Sequence, residues 1–239
     1  MSLVDILKEA TPKYELTIPS TGESKTFRPF LVKEEKILLI AKESSDEVVI
    51  MKSVRDLIKS CVDDMDNIED LPMFDIEYIY LQLRAKSIGE ILTPTFVCPE
   101  TKEKIKLNLN INDIEVVRNE NHKNEIAITS DIIITMKYPS INIIEGMHKN
   151  EHNNENAVPL FDLIVNTIEK IETKEETLTN DVISKTELEE FVNNFTKEQY
   201  EKVVEFFTTS PKLEHTLKYT TKDGKEHEAV LRGLLDFFR

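Results

Sequence analysis

Tryptophan is absent from this 239-residue chain, and glycine nearly so, with 5 residues scattered singly. No phosphate-cradling loop of the GxxxxGK or GxGxxG kind can be assembled from them, which excludes nucleotide binding of that type. Cysteine is as scarce. Cys61 and Cys98 are the only two, too few for a disulfide framework, and a chain of this length needs neither disulfide nor metal to build a core. The sequence also lacks any run near the roughly 20 apolar residues of a membrane-spanning helix. No basic-then-apolar leader opens it, so the expectation is a cytosolic chain in a reducing compartment. Cations are in short supply too: Lys+Arg number 30 against 45 Asp+Glu, for a net charge of −15. That balance argues against nucleic acid and anionic membranes as partners, since both are held by clustered cations.

What is present is hydrophobic patterning that changes period along the chain. Residues Leu3–Ala10 have the spacing of a short amphipathic helix stopped at Thr11-Pro12. "YELTIP" and "TFRPF" flank the turn-like "STGESK" and predict a hairpin. "LVKEEKILLIAKES" and "DEVVIMKSVRDLIKSCV" then switch to helical spacing. A third helix is predicted in "LPMFDIEYIYLQLRAKSIGE", with Asp75 as its N-cap and Arg84 and Lys86 near its negative end. From Phe74 to Ala85 that helix carries apolar residues on every face, so something must cover both sides. After Gly89 the segments around "PETKEK" and "EIAITSDIIITMKY" alternate as strands do.

The polar "HKNEHNNEN" at 148–156 reads as a linker. Helices follow at 161–171, at 186–194 behind a Thr-Glu-Leu-Glu capping pattern, and at 197–208, before a hairpin around Asp223-Gly224. The expectation is an α+β fold: an N-terminal hairpin and helices packed on an antiparallel sheet, then a mainly helical C-terminal part ending in a β-hairpin. Its divisions would be an α+β domain at 1–147, the linker at 148–156, and a helical domain with terminal hairpin at 157–239. One internal echo stands out. "TPTFVCPETKEKIKLNLNINDI" and "HTLKYTTKDGKEHEAVLRGLLDF" are each strand, lysine-bearing turn, strand and apolar end.

Catalytic chemistry is hard to find. His122, His148, His152, His215 and His227 lie in polar surroundings, none beside a nucleophile turn. Adjacent acids such as Glu189-Glu190 are expected by chance among 45. His148 and His152 have a ligand-like spacing of four, yet their neighbours are those of a linker. Cys98-Pro99-Glu100-Thr101 is half of a zinc knuckle, and one thiolate does not hold zinc. No catalytic, cofactor or metal residue is assigned. Two other classes stay open: an enzyme whose site gathers His215 or His227 with distant acids, and a zinc or redox module using Cys98.

An apolar excess remains. Phe27 and Phe30 of "FRPF", Phe206 and Phe207 of "VVEFFTTSPKL", and Leu234, Leu235, Phe237 and Phe238 of "GLLDFF" must dock somewhere, in this chain's core or on a partner. These eight residues are the candidate partner-binding set. The segment 151–196 carries 11 acids against 3 bases, whereas 197–239 has 8 of each, which makes the neutral tail the better contact surface.

The strings FRPF-x-VKEEK-x-LLIA (27–41), LP-x-FDIEY-x-x-LQLRAKS-x-GE (71–90) and LRGLLDFF (231–238) resemble the T4-like bacteriophage baseplate hub and hub-assembly proteins. The likeness runs in order through roughly residues 14–115 and 186–238. It implies a non-enzymatic hub component or assembly chaperone of a contractile tail. Its partners would be other baseplate hub and tail proteins, with a homo-oligomer as a further option. It also implies assembly in the host cytoplasm, and leaves open whether the chain stays in the finished baseplate. Where the family often has Cys-x-x-Cys, this chain has Cys98-Pro99-Glu100-Thr101, which puts a metal-bound form of that hairpin in doubt.

Overall fold

The computed structural model describes residues 6–7, 10–44, 46–151 and 159–238, leaving aside the side chains of 148–151, 159 and 238. Much of the helix expected at 3–10 therefore lies outside the described residues. The fold is α+β, with a hairpin and helices first and a β-hairpin near the C-terminus. Two compact units are formed, Met1–Val117 with Lys212–Arg239, and Arg118–Pro211. The domain boundary expected at 148–156 falls inside the second unit. Strand pairing explains why: 132–136 is hydrogen-bonded to 168–173, so the same sheet continues on both sides of that segment.

In the first unit, β1 (Tyr14–Thr17) and β2 (Ser24–Phe27) make the predicted hairpin. Helix α1 (Val32–Ser44) and helix α2 (Glu47–Cys61) follow and pack together. The Asp46 carboxylate caps α2 by accepting from the Val48 and Val49 N–H groups. One face of α2 buries Ile50, Met51, Val54, Leu57, Ile58 and Cys61, at the spacing its sequence predicts.

Helix α3 (Met73–Ser87) is the centre of this unit and answers the all-round apolar pattern. It packs on α2, on the turn at 111–113, on strands β7 (Glu115–Val117) and β12 (Lys212–Thr220), and on the short α8 (Gly233–Phe238). Both faces are thus covered from within the chain. The covering sheet comes mostly from the C-terminal hairpin and not from the strand-like segments after Gly89, because its order is β13-β12-β7, with β13 at Glu226–Arg232. Only β7 comes from the middle of the sequence.

The remaining strands of the unit form two small pairs, β3 (Ile91–Leu92) with β6 (Leu109–Asn110), and β4 (Thr95–Val97) with β5 (Lys104–Lys106). The internal echo proves to be a packing pair. Cys98 and Leu107 from one hairpin meet Tyr219 and Ala229 from the other in one buried cluster. Phe96 lies tilted against Tyr219 with ring centroids 5.5 Å apart, and the Lys222 N–H donates across to the Glu103 carboxylate.

The second unit is a four-stranded antiparallel sheet with helices. Its strand order is β11-β10-β9-β8, from Thr177–Thr179, Ile168–Thr173, Ile132–Met136 and Glu125–Ala127. Helices α4 (Ile141–Glu151), α5 (Pro159–Thr167), α6 (Lys185–Asn193) and α7 (Lys197–Thr209) complete it. The helix expected to reach Ile171 stops at Thr167, since Ile168 and Ile171 bond to β9 instead. Its core gathers Ile134, Met136, Ile164, Ile168, Val203 and Phe206.

Candidate interaction site

The aromatic and leucine side chains predicted as partner anchors mostly hold the chain to itself. Phe27 and Phe237 are 1% exposed, and Phe30, Phe206 and Leu234 are also buried. Phe207 and Leu235 are half-buried, and the Phe238 side chain lies outside the described residues. A ring enclosed in its own unit has no surface left for another protein. The physical reason is local: Phe27 and Phe30 bracket a chain reversal onto α2 and α3, where the Phe30 N–H donates to Ser87 Oγ at 2.9 Å. Phe206 stacks near Tyr138 and His122 in the second unit.

The polar members of the recognisable strings are structural for the same reason. Arg28 of "FRPF" makes a two-pronged bond to Glu34 of "VKEEK", Nη2 to Oε1 at 2.9 Å and Nη1 to Oε2 at 3.3 Å. Burial by itself would raise the Glu34 pKa. The guanidinium and the Leu31 N–H outweigh it and hold the carboxyl below its ordinary value. Asp75, fully enclosed, accepts from the Ser20 N–H at 3.0 Å and from the Ser20 hydroxyl, which ties α3 to the first hairpin turn. It is not the N-cap of α3, which is Pro72. Glu77 accepts from the Leu234 N–H and so joins α3 to α8.

What is left on the surface is a different apolar set. A helix turns 100° per residue, so the four consecutive apolar residues Ile37-Leu38-Leu39-Ile40 on α1 cannot all face one core. Leu38, with Glu34 and Ala41, points inward. Ile37 is 53% exposed, Leu39 54% and Ile40 67%, and Val32 one turn earlier is 67% exposed. Lys33, Lys36 and Glu43 lie among them and are exposed as well. Ile88, just past the end of α3, is 58% exposed. Together with Leu38, Leu39, Tyr80, Arg84, Glu35 and Lys42 it lines a cavity of about 100 Å³. The helical spacing of the sequence predicts α1, but none of its residues belongs to the candidate partner-binding set. The uninterrupted "ILLI" was the available signal.

Among the described residues, no comparable convergence of reactive groups is seen: no three His, Cys, Asp or Glu side chains approach one another as metal ligands would. His148 and His152 fall where no side chain is described. Cys98 is enclosed, and hydrogen bonds from the Thr101 hydroxyl, the Thr101 N–H and the Tyr219 hydroxyl lower its thiol pKa. Cys61 is a core thiol pushed up to about 11 by burial. His227 stacks on Tyr219 and has Nδ1 3.9 Å from Glu100, while His215 pairs across the sheet with Leu231.

His122 bonds through Nδ1 to Thr209 Oγ1, whose own proton goes to the Glu205 carbonyl. The buried Nε2 has no hydrogen-bond partner. Two cavities of about 340 Å³ occur in the second unit, one beside Lys137, Asn142 and Asn180, the other beside Lys123, Lys202 and Phe206. Neither is lined by a histidine or cysteine.

The sequence profile of a family described as T4 bacteriophage base plate protein matches residues 11–239. No curated protein and no solved structure matches the chain.

Proposed function

Because this chain belongs to the T4 bacteriophage base plate protein family, we propose that it is a non-enzymatic component or assembly chaperone of the baseplate hub of a contractile tail. It acts by presenting the outer face of α1 to neighbouring baseplate and tail proteins. The observation that carries this reading is the exposure of Val32, Ile37, Leu39 and Ile40 on one helix. Apolar side chains clustered on a surface and rimmed by charge mark association sites in soluble proteins. Buried apolar anchors supply most of the association energy, while the surrounding Lys33, Lys36 and Glu43 would set orientation and encounter rate.

Co-expression with the other baseplate proteins of the same phage tests it. The double substitution Ile37→Asp, Ile40→Asp is expected to abolish co-purification of at least one of them. It should leave the thermal unfolding of the isolated chain nearly unchanged, because both side chains are already in water. Retained, stoichiometric co-purification by this variant would remove α1 from the contact.

A further inference from the structure

The small cavity between α1 and α3 contains a charge without a counter-ion. Arg84 Nη1 is buried and makes no hydrogen bond. Its proton affinity is shaped by burial and by Tyr80, with no carboxylate contributing. Glu35 and Lys42 line the same cavity, and their opposite charges leave the guanidinium as the net excess. A half-buried guanidinium with one enclosed N–H donor left unpaired is costly in any protein, and here it occurs in a chain of net charge −15. The walls around it, Leu38, Leu39, Tyr80 and Ile88, are apolar or aromatic, and Leu39 also belongs to the exposed face of α1.

Size and chemistry narrow the occupant. At about 100 Å³ the cavity lies well below the roughly 300–1,000 Å³ of sites that hold whole small molecules. It has room for one short side chain. A planar guanidinium matches a carboxylate with two parallel N–H···O bonds, and aliphatic walls suit the stem that carries it. Continuity with the α1 face means that a segment laid along that helix reaches the cavity without rearrangement. We infer that the cavity receives a Glu or Asp side chain from an aliphatic-flanked segment of a neighbouring baseplate protein, whose carboxylate completes an ion pair with Arg84. This inference rests on the role assigned to α1 above. It adds the chemistry of the partner: an acidic residue with leucine-like neighbours.

The test uses the full chain and two capped tripeptides, N-acetyl-Leu-Glu-Leu-amide and its Leu-Gln-Leu counterpart, followed by NMR at the Arg84 side-chain N–H and the Ile88 methyl. The glutamate peptide should shift both signals saturably, and the glutamine peptide should bind about tenfold more weakly or worse. The substitution Arg84→Gln should abolish the saturable shift at Ile88. Equal binding of the two peptides, or no shift with either, overturns the inference. If the double aspartate variant nevertheless loses its co-purifying partner, the α1 reading survives that failure.

Discussion

Asp75 and Glu77 stand two residues apart on α3, and each reaches a different part of the chain. The sequence suggests Asp75 as the helix N-cap and sets Glu77 in a run that is apolar on every face, and that periodicity gives no sign that either carboxylate ties the helix to a distant segment. Their partners, Ser20 and the Leu234 N–H, are 55 and 157 positions away, a distance no local pattern spans. Glu77 also makes the pH dependence predictable. Burial pushes its carboxyl up from an ordinary 4.5 to about 8, against the Leu234 N–H, which favours the ionised form. The folded chain therefore keeps a proton that the unfolded chain releases near pH 4.5. Its stabilising contribution is complete below that pH and is lost as pH rises through about 8. Glu77→Gln keeps the shape and the carbonyl acceptor without the charge. Denaturant titrations at pH 5 and pH 9 should show the variant gaining on the wild type at the higher pH, by on the order of a few kcal/mol. Parallel curves would mean that Glu77 is ionised in the folded chain.

At the scale of elements, the readable features were those encoded within a few residues. The first hairpin, α1, α2, α3 and the hairpin around Gly224 all emerge where patterning and turn residues put them. Gly224 sits at φ +81°, the left-handed geometry its tight turn requires. The start of α7 is equally local. Thr196 Oγ1 accepts from the Gln199 N–H while the Gln199 side chain accepts from the Thr196 N–H, a reciprocal capping box. Thr196→Ala should cost about 1 kcal/mol of unfolding free energy in a denaturant melt, and no measurable loss would mean that solvent caps the helix as well. What the elements did not reveal was direction. "FRPF" and "LLDFF" are apolar enough for either core or interface, and only tertiary packing assigns Phe27 and Phe237 to the core while leaving Ile37 and Ile40 outside. The α5–β10 junction was misplaced for a related reason. Ile168 and Ile171 stand three apart, a helical spacing, and a register shift between Ile168 and Lys170 in the pairing with β9 is what lets a strand bury both.

For the whole molecule, chain order and spatial order differ. The C-terminal strands and α8 return to the N-terminal unit, so a division drawn from the polar stretch at 148–156 cut through a sheet instead of between domains. Charge and composition could not reveal this, because a polar segment marks solvent exposure without saying what its two ends pair with. Fragments offer a direct check. Residues 118–211 should fold alone, with cooperative unfolding and dispersed NMR signals. Residues 157–239 lack β9 on one side and α3 on the other, and should not. A cooperative 157–239 fragment would contradict the two-unit division.

The central claim is that α1 is the face on which another baseplate protein sits. Hydroxyl-radical footprinting of the isolated chain and of the chain in an assembled baseplate complex measures this most directly. Val32, Ile37, Leu39 and Ile40 should react readily in the free protein and become protected together on assembly, with the enclosed Phe27 and Phe237 unreactive in both. Undiminished labelling of all four α1 residues in the assembled complex would contradict the claim.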